Sequence, residues 1–302
     1  MRKQSQDVLR TVLITYALLA SFPLEADDPN CNCERDNNAS VRTLAAAIAP
    51  VQDSFTQECP RDRRYPDLFA NMDFAEIKSS ITQSLAAMGL EAKINEFRDT
   101  PEDLIRLKRL ANITLPALRL YPREFFTRVG LKYIVLTKDL RVANQLRKAM
   151  PEPSTGSLHY SDNNDLNCEA GMESRVHHEF YHFIEGKIKG NMYFADPAWA
   201  RMNARNFRYG SGGATAYGPN GFQNLGHPGN GFISAYARYG LEEDKAEVFA
   251  WMMTRGFAER TTAWEQADPV LARKMNYIRN FIRGLNPSMD ARYFARLRGS
   301  PN

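Results

Sequence analysis

An α+β fold is the class the sequence predicts, and three observations carry it. Strand-like segments come early in the 302 residues, amphipathic helical patterns dominate late, and no period of 20–50 residues or low-complexity tract points to a solenoid or fibre. With 43% apolar and 25% charged residues, the chain can bury a sizeable core.

The N-terminus differs in kind from the rest. Arg2, Lys3 and Arg10 precede the apolar run TVLITYALLASFPL, and the polar EADDPN follows. That order is the pattern of a secretory signal over residues 1–26, with cleavage expected near Ala20 or Ala26, and the run is short of the roughly 20 residues that span a bilayer. An uncleaved anchor is the alternative. The mature chain is expected to be secreted, either extracellular or periplasmic, without stable membrane association. Its formal charge of +4 becomes +3 once Arg2, Lys3 and Arg10 leave with Asp7 and Glu25. Lys and Arg are scattered, so nucleic acid is not an expected partner.

Cys31, Cys33, Cys59 and Cys168 outlast signal removal, and an even number in an oxidising compartment suggests two disulfides joining Cys31 and Cys33 to Cys59 and Cys168 in either combination. A four-thiolate metal site or free thiols remain open. Residues 27–63 read as a loosely structured, Cys-containing leader with an Ala-rich helix over Val41–Val51, and residues 64–302 as the globular domain.

Within that domain a helix is expected over Ala75–Met88, then a strand in EAKINEF (91–97), then a long helix from Pro101 that Pro116 should interrupt. KYIVLTKDL (132–140) has the β-branched, apolar character of a buried strand. Leu140–Met150 reads as a helix, and GSLHYS (156–161) alternates like an edge strand. A helix follows over Met172–Lys189, then a Gly-, Asn- and aromatic-rich loop over 205–231, of a length that is often functional. The last segments read as a helix over 241–260 and an amphipathic one over 269–285.

Three of the five histidines fall within RVHHEFYH (175–182). His178 and His182 are four apart, about 40° from each other on one helical face, where two imidazoles can reach the same ion. With Glu179 between them this is H-E-x-x-H, in which the histidines bind zinc and the glutamate acts on the water that the metal activates. A surface histidine pair would give the same spacing. Downstream, Glu243 and Glu247 lie four apart on a helix that is apolar almost all round, and buried carboxylates need a cation or hydrogen-bond partners.

HEFYH together with YARYGLEEDKAEVFA resembles the gluzincin metallopeptidases, above all the anthrax lethal factor-like catalytic domain and bacterial zinc-binding metallopeptidases related to it. The similarity runs from about Tyr121 to Glu259. It implies a zincin-like fold with a small mixed sheet, an HExxH helix and a second glutamate-bearing helix. It also implies a zinc-dependent endopeptidase acting on peptide or protein substrates with one Zn2+ per chain. His178, His182 and Glu243 would be the ligands, Glu179 the general base, Tyr236 the phenol that assists the transition state, and Glu247 a carboxylate orienting a ligand. The long stretch between His182 and Glu243 is where this chain would differ most from such relatives, and nothing supports a toxin role.

Other residues are open to a part. His227 could enter from the loop as a second oxyanion donor or be an ordinary surface-loop histidine, His177 reads as a neighbour of the site or a surface group, and GSLHYS could pair with an extended peptide or be an ordinary sheet edge. Asn38-Ala-Ser and Asn112-Ile-Thr are glycosylation sequons. The competing function is an exported zinc-containing binding protein whose metal site is structural or inactive.

Overall fold

The computed structural model describes residues 65, 67–142, 144–162, 169–213 and 227–299. The signal, the leader with its helix, all four cysteines, the first sequon and the middle of the Gly-rich loop lie outside the described residues. No helix among the described residues is long and apolar enough to cross a membrane.

Helix α1 (Phe74–Ala87) starts at a capping box in which Asp73 accepts from the Glu76 N–H while Glu76 accepts from the Asp73 N–H. It leads into β1 (Glu91–Asn95). Helix α2 (Pro101–Leu118) takes Thr100 as its cap and runs through Pro116 without interruption. Proline there removes only the bond to the Asn112 carbonyl, and it sits in the last turn, where the cost is smallest. The second sequon lies inside this helix, with Thr114 buried and the partly exposed Asn112 carboxamide engaged by the Leu68 N–H and Asp67.

Helix α3 (Arg123–Val129) ends on Gly130, whose φ of 73° closes the helix and turns the chain into β2 (Tyr133–Thr137). The expected helix over Leu140–Met150 is absent. Residues 141–146 form a hairpin of two short strands, β3 (Arg141–Val142) and β4 (Gln145–Leu146), with Asn144 at a φ of 64° that no helix accommodates. Next come β5 (Ala149–Glu152), holding Pro151, and β6 (Ser157–Ser161).

The main sheet has the order β1-β2-β6-β5. Strands β1, β2 and β6 are parallel, and β5 pairs antiparallel with β6. GSLHYS is therefore an interior strand, and the edge beside it is β5. The two are joined by a turn at Gly156, too short for β6 to reach anything but its own partner, and β2 takes the other side.

Helix α4 (Glu169–Lys189) carries the histidines. It is buried on nearly every side, because Val176, Phe180, Phe183 and Ile184 face an aromatic core around Tyr121, Phe125 and Phe126 while its opposite face meets a second buried helix. After the short α5 (Pro197–Ala200) and an irregular stretch, a 3-10 turn at Tyr236–Arg238 precedes that second helix, α6 (Leu241–Met253).

The expected single helix over 241–260 breaks after Met253. Thr254 turns extended, its amide and its hydroxyl both bonding the Ala250 carbonyl, and a 3-10 turn at Arg255–Phe257 leads to α7 (Ala258–Ala267). Helix α8 (Pro269–Leu285) buries Leu271, Met275, Ile278 and Ile282 at helical spacing, and α9 (Ala291–Gly299) follows.

Candidate metal centre

His178, His182 and Glu243 come from two helices and present one donor atom each to a common point. His178 Nε2 stands 3.0 Å from Glu243 Oε2, His182 Nε2 3.4 Å from the same oxygen, and the two Nε2 atoms 3.1 Å from each other. Donors held about 2.0–2.1 Å from a tetrahedral ion are about 3.3 Å apart, so the triangle has the size of one face of a zinc coordination tetrahedron. All three residues are 8–9% exposed, which excludes a surface histidine pair and solvated glutamates alike.

The chemistry of the donor set points the same way. His178 Nδ1 lies 2.8 Å from Glu247 Oε1, and an ionised carboxylate can only accept, so a neutral ring carries its hydrogen on Nδ1. The Nε2 lone pair then faces the Glu243 carboxylate and a second imidazole. Three electron pairs converging in a buried space require a cation, either a metal ion or a proton.

The electrostatics express that demand. Burial opposes charge on His178, but the Glu243 and Glu247 carboxylates outweigh it and hold the ring's pKa well above its ordinary value. Burial likewise opposes ionisation of Glu243, and His178 and His182 overcome it, holding that carboxyl well below the usual range. The three residues fit a divalent metal.

Glu247 is placed by Ser234, whose hydroxyl donates to Oε2 at 2.6 Å while its oxygen accepts from the Ala237 N–H at 3.2 Å. Both oxygens of Glu247 are thereby engaged, and the carboxylate cannot turn away from His178. Sequence reasoning missed Ser234, although its place two residues before Tyr236 was the available signal. Replacing Glu247 by Gln is expected to weaken the affinity of the centre for a divalent metal about 10–100-fold, the usual effect of disturbing a ligand's outer partner. Competition with a chromophoric chelator measures this, and an unchanged affinity would remove Glu247 from the site.

Glu179 follows the first ligand on α4 and is partly exposed. Among the described residues nothing hydrogen-bonds to its carboxylate. Its charge adds to burial in pushing up the pKa of the Tyr160 phenol on β6.

Tyr236 lies near the first histidine, its ring centre 5.8 Å from that of His178. Its hydroxyl and Glu243 Oε1 both border Gly213, where an added Cβ would overlap the two of them. Tyr236, Glu243 and the Gly213 backbone thus share one confined space. Bonds from Gly210 N to Arg238 O and from Gly212 N to Tyr239 O, at 3.0 and 2.7 Å, hold that glycine segment in place.

Two other histidines have open readings in the sequence, and the fold narrows each of them. The His227 ring is held by other groups: Nδ1 lies 2.6 Å from the Phe232 carbonyl, Nε2 3.5 Å from Asp268, and the ring stacks on Trp264. Asp268 also caps α8 and accepts from the Gly231 N–H, so His227 fastens the end of the loop and is not poised as an oxyanion donor. His177 is no surface group. It is fully buried, 2.6 Å from the Tyr121 hydroxyl and close to Glu173, and its pKa is lowered, chiefly by burial.

Around the centre, α6 is fixed by two buried ion pairs that the sequence did not reveal. Asp244 meets Lys274 of α8 at 2.6 Å, with Trp199 Nε1 and the Tyr209 hydroxyl donating to the same oxygen. Lys245 meets Glu185 of α4 at 2.6 Å and donates to the Phe194 carbonyl.

No protein-family model matches the chain, and no curated protein matches it. Among solved structures, the chain is similar to one described as a "putative zinc-binding metallo-peptidase" from Bacteroides caccae, with 16% identity and a TM-score of 0.42, over 73% of this chain and 93% of that one.

Proposed function

We propose that the protein is an exported, zinc-dependent endopeptidase of the gluzincin type, with one zinc ion held by His178, His182 and Glu243. The observation that carries this reading is the convergence of three buried donors at tetrahedral spacing, with Glu179, whose carboxylate no described residue hydrogen-bonds, next to the first of them in the helix. Among the described residues these three alone converge, and three protein ligands leave a position for water and substrate that a four-ligand structural site would close.

Bound there, zinc would bring the pKa of a water near 7 and polarise a carbonyl oxygen. The residues of the chain do the rest. Glu179 is the group that takes a proton from the attacking water and returns it to the leaving amine. The Tyr236 hydroxyl donates to the oxygen on which charge develops. Glu247, fixed by Ser234, keeps the hydrogen of His178 on Nδ1 and so keeps Nε2 available as a donor atom.

The substrate would lie extended along β5, the open edge of the sheet, and not along β6 as the sequence suggested. Lys148, at the start of β5, is close enough to Arg175 for the two charges to interact, and Pro153, just past its end, packs where a side chain on Gly186 would fall. Strand β5 therefore runs beside α4 from Arg175 to Gly186, and Glu179 lies between those points. Export is inferred from the charged, apolar and polar order of the N-terminus, and peptides or proteins outside the cytoplasm are the proposed substrates.

The test is cleavage of a peptide library by the purified protein before and after chelation. Hydrolysis that chelator abolishes and zinc restores is the expected result. Peptides left intact by the zinc-loaded protein would overturn the reading.

A further inference from the structure

Strand β5 has the sequence Ala149-Met150-Pro151-Glu152, and its pairing with β6 fixes which way each peptide group points. Ala149 stands opposite Tyr160, Met150 opposite His159, Pro151 opposite Leu158 and Glu152 opposite Ser157. One step before this ladder, the Ser161 N–H donates to the Lys148 carbonyl at 2.7 Å. Lys148 and Ser161 are opposite each other, so theirs is a bonded pair, and bonded pairs alternate along an antiparallel ladder. Met150 and Glu152 consequently point their peptide groups at β6, while Ala149 and Pro151 point theirs away.

The outward side of β5 then offers three groups: the N–H and C=O of Ala149 and the C=O of Pro151. A fourth is missing, because proline has no N–H. The placement accounts for a proline being tolerated here at all, since only an outward-facing position spares the ladder. Among the described residues no strand pairs with this side of β5.

We infer that Pro151 is a specificity-determining residue: an extended peptide on β5 is held by two backbone bonds at Ala149 and one at Pro151, and the peptide carbonyl that would meet the Pro151 N–H stays unpaired. The count is the same whether the peptide runs parallel or antiparallel to β5, because Pro151 lacks the donor in both. The missing donor keeps the rail weak at one defined backbone position, so side-chain pockets and the metal centre must supply more of the discrimination. It also leaves the edge a poor template for pairing with another copy of itself.

This inference rests on the peptidase reading, and the experiment separates the two. The Glu179→Gln protein, loaded with zinc, is titrated with the labelled library peptide that the wild-type protein cleaves fastest. The same titration is repeated in Glu179→Gln/Pro151→Ala and Glu179→Gln/Pro151→Val, both of which restore the N–H without touching the β5–β6 bonds. Each is expected to bind about five-fold tighter, the factor for one net hydrogen bond. In a scan of single backbone esters through the peptide, the ester that weakens the carbonyl facing residue 151 is expected to be silent while Pro151 is in place and to reduce the gain in the Pro151→Ala background, because an ester carbonyl is a poorer acceptor than an amide one. Melting curves confirm that both variants are folded. Equal or weaker binding in both folded variants overturns the inference while leaving chelator-sensitive cleavage by the wild type intact. Absence of that cleavage would sink the peptidase reading and this one with it.

Discussion

Glu243→Ala is expected to lower zinc affinity by at least about a hundred-fold, more than the loss of any outer partner of a ligand. The substitution takes away one of three protein donors, and it takes away the charge that compensates the ion in a space that is 9% exposed at this residue. His178 keeps Glu247 and its ring orientation, so the two imidazoles remain but can offer only two bonds. The variant should still fold, because α6 retains the Asp244–Lys274 and Lys245–Glu185 pairs. Metal content after dialysis gives the first readout, and the rise in melting temperature on adding zinc gives the second, since that rise scales with the affinity of the folded state. A variant that still binds within ten-fold of the wild type would mean that the ion sits elsewhere.

Glu179→Gln is expected to separate binding from chemistry. Glutamine has the shape of glutamate but cannot take a proton from water at neutral pH, so turnover should fall by about 10²–10⁴, the range for a positioned general base. Zinc content should stay at that of the wild type, because Glu179 offers no atom to the triangle of donors. The fall should appear in kcat, with KM little changed, since peptide held by the β5 edge does not depend on this carboxylate. Retention of a tenth or more of the activity would assign the proton transfer to another group.

The sequence was most legible where one helix carries its own pattern. The spacing of His178 and His182 and the apolar stripe through Val176, Phe180 and Phe183 placed α4 within a few residues of its ends, because 3.6-residue periodicity is a local property. Glu243 and Glu247 could be singled out because carboxylates on a helix apolar all round need partners, but which partners depends on how α4 and α6 cross. That crossing is set by contacts far apart in sequence, which is why Ser234, Lys245–Glu185 and Asp244–Lys274 were not seen.

The sheet was harder. Residues 141–150 have helix-compatible side chains, and only a turn through Asn144 with tertiary pairing makes them strands. Taking them for a helix hid β5, and with β5 hidden β6 looked like an edge. The place of His227 was not legible for a related reason: a loop histidine carries no periodicity, and its partners Phe232, Trp264 and Asp268 are brought to it by the fold.

Helix α6 has a further consequence. From Glu243 to Met253 every residue is buried, and four charges in a row of five positions are each engaged: Glu243 by the two imidazoles, Asp244 by Lys274, Lys245 by Glu185, and Glu247 by the other nitrogen of His178 and by Ser234. Turning the helix by a single position would strand all four charges at once, so it behaves as a key seated in its lock. An ion taken up at the triangle of donors would then enter a frame already cut to shape, and its arrival or departure should leave the walls around it in place.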